Sequence, residues 1–216
     1  MPTTEMIREL RERTGAGILD CKKALAESGD QIEKAVDWLR ARGAASAAKK
    51  ASRQASEGVV DCYIHGSGTI GVLIEVNCET DFVARTDRFK ELVRGIAMHI
   101  AASNPEYLRR EDVPADAIER EQRTQLERVM LEGKPEAVAR RIVEGRMGKF
   151  YEEICLLEQK YVKDDSKTIE VVLREAVATI GENIQVRRFA RFVMGEGLTK
   201  KNSDFAAEVA AAAGMN

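Results

Sequence analysis

Apolar side chains recur every three to four residues near the start of the chain, which predicts three short helices. We expect them at residues 4–13, 19–28 and 31–42, separated by glycines. The apolar sides of these helices are formed by Ile7, Leu10, Ile18, Leu25, Ile32, Val36 and Leu39. Residues 1–43 are therefore predicted to form a small three-helix module, similar in pattern to ubiquitin-associated domains.

The composition changes after this module. Residues 44–58 are rich in Ala, Ser, Lys and Arg and contain no large apolar side chain, which is typical of a linker that can be partly helical. A domain boundary is expected here.

An alternating pattern of apolar and polar residues then predicts β-strands. Residues 59–65 and 69–78 are rich in β-branched side chains, and the glycines between them indicate a hairpin turn. Residues 184–194 alternate in the same way. We expect a small antiparallel sheet that is completed by this distant segment.

Helical spacing returns between and after these strands. It predicts helices at 87–102 and 169–180, and an exposed antiparallel helical hairpin at about 115–154 that is broken at Gly133-Lys134-Pro135. The alanine-rich stretch 203–214 predicts a last helix. The fold class is thus α+β, with a core domain at 59–198 that contains the inserted hairpin and a C-terminal helical module at 199–216.

Composition and charge limit the classes of function that the protein can have. The chain has 216 residues, 44% of them hydrophobic, and a formal net charge of -2, so it has no basic surface typical of nucleic-acid binding. No apolar run approaches the roughly 18 residues that span a bilayer. We therefore expect a cytoplasmic protein whose partner is another protein.

Candidate chemistry is sparse. The four cysteines, at 21, 62, 78 and 155, form no CxxC pair and are expected to be reduced and mostly packed, and the two histidines, at 65 and 99, suggest no triad or metal site. The glycines near residues 195–200 do not follow the spacing of a phosphate-binding loop. We predict no metal, no cofactor and no catalytic residue.

A thiol enzyme that uses Cys62 or Cys78 beside His65 is an alternative. Hairpin pairing about residues 66–68, however, places Cys78 well past the residue opposite Cys62.

Three longer motifs are more specific. They are LRERTGAG at 10–17, which continues to DCKKAL at 20–25, EVNCETDFVA at 75–84, and DFAAEVA at 204–210. In this order they resemble the signatures of the elongation factor Ts family, and residues 134–149 are similar to one arm of that family's coiled-coil protrusion. The resemblance implies a guanine-nucleotide exchange factor that binds elongation factor Tu in its GDP-bound form and needs no active site.

The resemblance also implies which residues contact the GTPase. Thr80, Asp81, Phe82 and Val83 would be presented to the nucleotide domain, where Phe82 wedges into an apolar cleft near the helix that organises magnesium. Taken alone, an aromatic residue after a strand more often fills a core. Asp81 has two open interpretations, as a turn or helix-capping residue and as a direct contact.

The two ends of the chain supply further expected contacts: Arg11, Ile18, Leu19, Lys23, Phe205, Ala206 and Val209. Without the resemblance, the first four are ordinary residues of a helical module and the last three belong to a frayed terminus.

Only one core subdomain fits in the chain, so it is similar to a short form of the family. A short form can compensate by pairing two copies, and a homodimer is therefore the second partner considered. An alternative of another class is an adaptor whose three-helix module binds peptides without affecting nucleotide release.

Overall fold

The computed structural model describes residues 1–198. Within that range, the α-helices are α1 Thr4–Thr14, α2 Ile18–Glu27, α3 Ile32–Lys50, α4 Asp81–Ala84, α5 Asp87–Ser103, α6 Ala115–Leu131, α7 Glu136–Ile154 and α8 Ile169–Ile180. The strands are β1 Glu57–His65, β2 Ile70–Cys78, β3 Lys160–Tyr161, β4 Asp164–Thr168 and β5 Gln185–Val193. The α+β class is confirmed; the helix predicted at 203–214 lies outside the described residues.

β1, β2 and β5 form one antiparallel sheet with β2 in the centre. The hairpin between β1 and β2 is confirmed, and Gly66 and Gly68 adopt positive φ angles of 57° and 90° in its turn, which glycine does without steric cost. β5 pairs with β2 after an excursion of about 100 residues. The third strand therefore comes from the predicted distant segment.

The main core lies between one face of this sheet and two helices. β2 contributes Val72, Ile74 and Val76, which alternate along the strand because successive side chains point to opposite faces. α5 and α8 cover this face, and their buried residues are Phe89, Val93, Ile96, Ile100, Ile169, Leu173 and Val177. Within residues 1–198, the opposite face of the sheet is uncovered and exposes Val60, Leu73 and Phe192.

α1, α2 and α3 have a second, smaller core of their own, built around Leu10, Cys21 and Leu25. The predicted end of α3 at residue 42 is wrong, because the helix continues to Lys50. Residues 44–50 contain strong helix formers, and α3 packs against α8 so closely that a Cβ at Gly43 would lie 2.9 Å from that of Ala178. Tertiary packing thus extends the helix into the expected linker.

α6 and α7 form the predicted antiparallel hairpin and pack mainly on each other through Val129, Ala139, Val143 and Met147. None of these four side chains belongs to either core described above. At its base, the carbonyl oxygen of Ile154 accepts hydrogen bonds from the backbone N–H groups of Glu106 and Tyr107 at 2.9 and 3.0 Å.

The sequence did not predict the small β3–β4 hairpin that follows. Buried His99 connects α5 to it: Nδ1 accepts a hydrogen bond from the N–H of Val162 at 3.3 Å, so the ring proton is on Nε2, which donates to Oε1 of Gln159 at 2.9 Å. Burial lowers the pKa of His99, because a charged ring would lose its hydration.

Cys21, Cys78 and Cys155 are buried and Cys62 is exposed, which agrees with the expected habit of packed thiols. Among residues 1–198, no helix is both long enough and apolar enough to cross a membrane.

Candidate functional site

The predicted contact motif lies in the connection between β2 and α5, which forms the single helical turn α4 rather than an irregular loop. We call residues 79–84 the α4 loop. Thr80 is its N-cap, and its Oγ1 accepts a hydrogen bond from the N–H of Val83 at 3.4 Å. Thr86 then caps α5 in the same manner. Two threonine caps in succession set the direction of the chain here.

Phe82 points away from the protein and exposes 77% of its surface. The two residues that follow it face inwards: Val83 packs against the main core, and Ala84 is buried. The interpretation of Phe82 as a core residue is therefore wrong. One side of the turn is anchored, and the other presents a phenyl ring to solvent.

Asp81 does not cap the helix, because Thr80 occupies that position. The Asp81 carboxylate lies 2.8 Å from Nη2 of Arg85 in an exposed i,i+4 ion pair. In the first turn of α4 it also faces the positive end of the helix dipole. The capping interpretation of Asp81 is thus wrong, and both charges of the pair are accessible.

Glu182, which follows the C-cap Gly181 of α8, holds the start of the α4 loop. Its Oε2 accepts hydrogen bonds from the backbone N–H groups of Glu79 and Thr80, both at 3.0 Å. Its Oε1 accepts one from the Thr80 hydroxyl at 2.6 Å. One carboxylate therefore binds three donors of the motif.

The next residue, Asn183, adds hydrogen bonds that also involve the α4 loop. Its backbone N–H donates to Oε1 of Glu79 at 2.6 Å, and its buried side-chain amide donates to the carbonyl oxygen of Arg53 at 2.8 Å. The guanidinium of Arg53 lies 3.5 Å from the Glu79 carboxylate. The α4 loop is thereby connected to the chain that follows α3.

Sequence reasoning did not identify Glu182 or Asn183. The available signal was their position directly after Gly181, which follows the helix predicted at 169–180. Gly181 adopts the left-handed conformation, with φ at 94°, and so ends the helix where these two polar side chains meet the loop.

The alternative thiol site is not assembled. Cys62 lies opposite Leu73, whereas Cys78 lies opposite Glu57 at the far end of the hairpin, as predicted. The Cys78 thiol is buried and donates to the carbonyl oxygen of Thr80 at 3.2 Å. Burial raises its pKa to about 11, so it is not the thiolate that nucleophilic chemistry requires.

The N-terminal candidates lie on α1 and α2. Ile18 and Leu19 begin α2 and are 56% and 82% exposed, and Arg11 and Lys23 are exposed as well. All four side chains are thus exposed on the three-helix module, whereas the α4 loop belongs to the core domain. Phe205, Ala206 and Val209 lie outside the described residues.

The residues that the structure describes contain no group of three or more His, Cys, Asp or Glu placed to hold a metal ion.

Comparison with known proteins gives a consistent result. Residues 45–196 match a family described as "Elongation factor TS". The chain is 59% identical over 213 residues to elongation factor Ts of Geobacter sulfurreducens, with 99% of each chain covered. It is 58% identical over 216 residues to elongation factor Ts of Carboxydothermus hydrogenoformans, and both chains are covered completely. These relatives therefore have the same short length.

Proposed function

Because this chain belongs to the elongation factor Ts family, the nucleotide exchange factors of elongation factor Tu in translation elongation, we propose that its α4 loop promotes GDP release. The family acts by binding its GTPase and not by covalent chemistry. This assignment decides against both the adaptor and the thiol enzyme.

The observation that carries the proposal is an exposed phenyl ring on an anchored turn. Phe82 is held outwards while Val83 and Ala84 fix the turn to the core. A phenyl ring removes a large apolar area from water while only two side-chain torsions are fixed. We infer that it inserts into an apolar cleft of the GTPase and that burial of the ring offsets the cost of moving helices there.

The same proposal explains why no active site is needed. Magnesium and the phosphates hold GDP largely by electrostatic attraction. If the inserted ring displaces the element that organises magnesium, GDP binds more weakly. Thermodynamic linkage then requires that GDP and the factor weaken each other's affinity for the GTPase equally. GTP binding completes the cycle by displacing the factor.

Thr80, Asp81 and Val83 belong to the same contact in this proposal. Arg11, Ile18, Leu19 and Lys23 dock the three-helix module on the GTPase, and Phe205, Ala206 and Val209 bind beside it. We retain the predicted division into a module at 1–43, a linker at 44–58, a core at 59–198 and a C-terminal module at 199–216. The support for the docking surface is the exposed apolar start of α2.

The open face of the sheet supports a homodimer. Its exposed apolar side chains are Val60, Ile64, Leu73, Phe192 and Met194. The strand register places Ile64, Gly71 and Phe192 in one row across the sheet, and Cys62, Leu73 and Ala190 in the next. Exposed apolar side chains grouped in this way mark interaction sites.

A second copy fits this face because a two-fold axis brings identical patches together. The charged side chains beside the patch are paired within the chain, Glu75 with Arg187 at 2.8 Å and with Arg188 at 2.6 Å, which leaves one net positive charge on each copy at the edge of the patch. Light scattering under reducing conditions should show a dimer for the wild type and a monomer for Leu73→Lys. A wild type that remains monomeric at tens of micromolar would refute the dimer.

The test of the exchange function uses elongation factor Tu loaded with a fluorescent GDP. A catalytic amount of this protein, added with excess unlabelled GDP, should accelerate the loss of fluorescence. Unchanged release would contradict the proposed function.

A further inference from the structure

Glu182 is the distant residue that holds the start of the α4 loop. Its carboxylate receives three hydrogen bonds from Glu79 and Thr80, which are 103 and 102 residues away in the chain. Hydrogen bonds to an ionised carboxylate are roughly twice as strong as those between neutral groups. The contact is therefore a strong restraint on the segment that precedes Phe82.

The α4 loop needs an external restraint. α4 contains four residues, and a helix of one turn is not stable without tertiary contacts. The exposed ring of Phe82 cannot hold the turn, and the buried contacts of Val83 and Ala84 act only after it. The other contacts before Phe82 are the weak thiol donor Cys78 on the carbonyl oxygen of Thr80, and bonds to side chains of the loop, from Asn183 and Arg53 to Glu79 and from Arg85 to Asp81. Glu182 differs from these in binding the backbone N–H groups of the segment itself.

Glu182 also determines the orientation of the Thr80 hydroxyl. Because this hydroxyl donates to the carboxylate, its lone pairs remain free to accept the N–H of Val83. The cap of α4 and the contact with Glu182 thus depend on each other. Loss of the carboxylate would release the hydroxyl and weaken the cap.

Glu182 is itself held in place on both sides. Gly181 ends α8 before it, and after it the amide of Asn183 is bound to the carbonyl oxygens of Ala51 and Arg53 at 3.4 and 2.8 Å. The carboxylate is therefore held in place, and it connects the α4 loop to both α8 and the end of α3.

We propose that Glu182 is a positioning residue for nucleotide exchange: it holds the α4 loop so that Phe82 is presented in the orientation that enters the GTPase. The proposal rests on the proposed role of Phe82. Glu182 does not touch the nucleotide, and it acts through Thr80. It should therefore affect the rate of GDP release within the complex more than the formation of the complex.

The experiment measures GDP release from elongation factor Tu over a range of factor concentrations. For Glu182→Ala, the maximal rate should fall about tenfold or more, while the half-saturating concentration changes less than about threefold, because the three-helix module still docks. Glu182→Gln should recover most of the maximal rate. Its side-chain carbonyl can accept the two backbone N–H bonds, and its amide can donate to the Thr80 hydroxyl.

Thr168→Ala is the matched control. Thr168 caps the other end of α8 through the N–H of Val171 at 3.3 Å, so its loss destabilises the same helix by a similar mechanism but leaves the α4 loop untouched. It should keep the wild-type maximal rate. If Glu182→Ala is no slower than Thr168→Ala, Glu182 is only structural and the proposal is overturned.

Amide hydrogen exchange gives an independent measurement on the free protein. In Glu182→Ala, the N–H groups of Glu79 and Thr80 should exchange about tenfold faster or more, because their acceptor is gone. Unchanged protection would overturn the proposal. If Glu182→Ala does not fold, Glu182→Asp and Thr80→Val replace it, since the shorter carboxylate cannot reach all three donors; each should lower the maximal rate, and their effects should be non-additive. Strict additivity would then overturn the proposal.

The two proposals fail in different ways. If Phe82→Ala exchanges at the wild-type rate, the wedge itself is wrong, whatever Glu182 does. If Phe82→Ala is slow and Glu182→Ala is not, only the positioning role is wrong.

Discussion

Replacing Phe82 by alanine removes the ring that the proposed mechanism depends on. Phe82 is 77% exposed, which for a phenylalanine corresponds to about 150 Å². Burying that area is worth up to about 4 kcal/mol at about 25 cal/mol per Å², and alanine would recover part of it. We expect a net loss of about 2–3 kcal/mol, equivalent to a decrease of about 30- to 150-fold in kcat/KM for exchange.

Folding stability should hardly change, because Phe82 is outside both cores. A surface substitution alters the free energy of unfolding by about 0.5 kcal/mol or less, which corresponds to about 2 °C in Tm for a chain of this size. Thermal unfolding followed by circular dichroism measures this directly. Phe82→Leu should fall between the wild type and Phe82→Ala in exchange rate.

Leu131→Ala is the control for loss of an exposed apolar side chain. Leu131 ends α6 and is 88% exposed, and its removal should leave the fluorescent GDP assay unchanged. The reasoning is refuted if Phe82→Ala, with wild-type Tm, releases GDP as fast as the wild type. It is also refuted if Leu131→Ala slows release as much as Phe82→Ala does.

Three further predictions concern packing, pH and docking. Gly43→Ala should lower the free energy of unfolding by about 1–2 kcal/mol, because its methyl group would meet Ala178. Gly145→Ala on α7, where nothing lies within 4 Å, should raise the free energy of unfolding by about 1 kcal/mol. Equal shifts in Tm for the two variants would contradict this difference. Because the pKa of His99 is lowered in the folded protein, its contribution to the free energy of unfolding is fully present above about pH 6.5. This contribution is lost as the pH falls through the folded-state pKa, because the unfolded chain binds the proton more readily. His99→Gln should remove this component of the change in Tm between pH 7.5 and 5.5. Leu19→Ser should raise the half-saturating concentration in the exchange assay without lowering the maximal rate, and the opposite pattern would place Leu19 outside the docking surface.

Local patterns along the chain account for much of the fold. The helices α5, α6, α7 and α8 and the β1–β2 hairpin lie within a few residues of their predicted positions. Their apolar residues recur with the period of one secondary structure over many residues, and glycine or proline marks their ends. The motif around Phe82 is local in the same sense, because its family signature is a continuous string of residues, 75–84.

Other features depended on contacts between distant residues. α3 continues past residue 42 because α8 packs against it at Gly43, and the central position of β2 follows from pairing with β5. β3 and β4 were not predicted, because they are short and largely polar. No local pattern encodes which surfaces will meet.

The same distinction between local pattern and distant contact applies to the functional site. The amino-acid sequence was sufficient to mark residues 80–83 as the expected contact, because a family signature is a local string. The same string implied that Phe82 is exposed, which the structure confirms, although an apolar residue after a strand, taken alone, usually enters a core. That Val83 and Ala84 anchor the turn required the fold. The contact of Glu182 with Thr80, 102 residues away, likewise required the fold, because a hydrogen bond depends on where the folded chain brings its atoms and not on their separation in sequence.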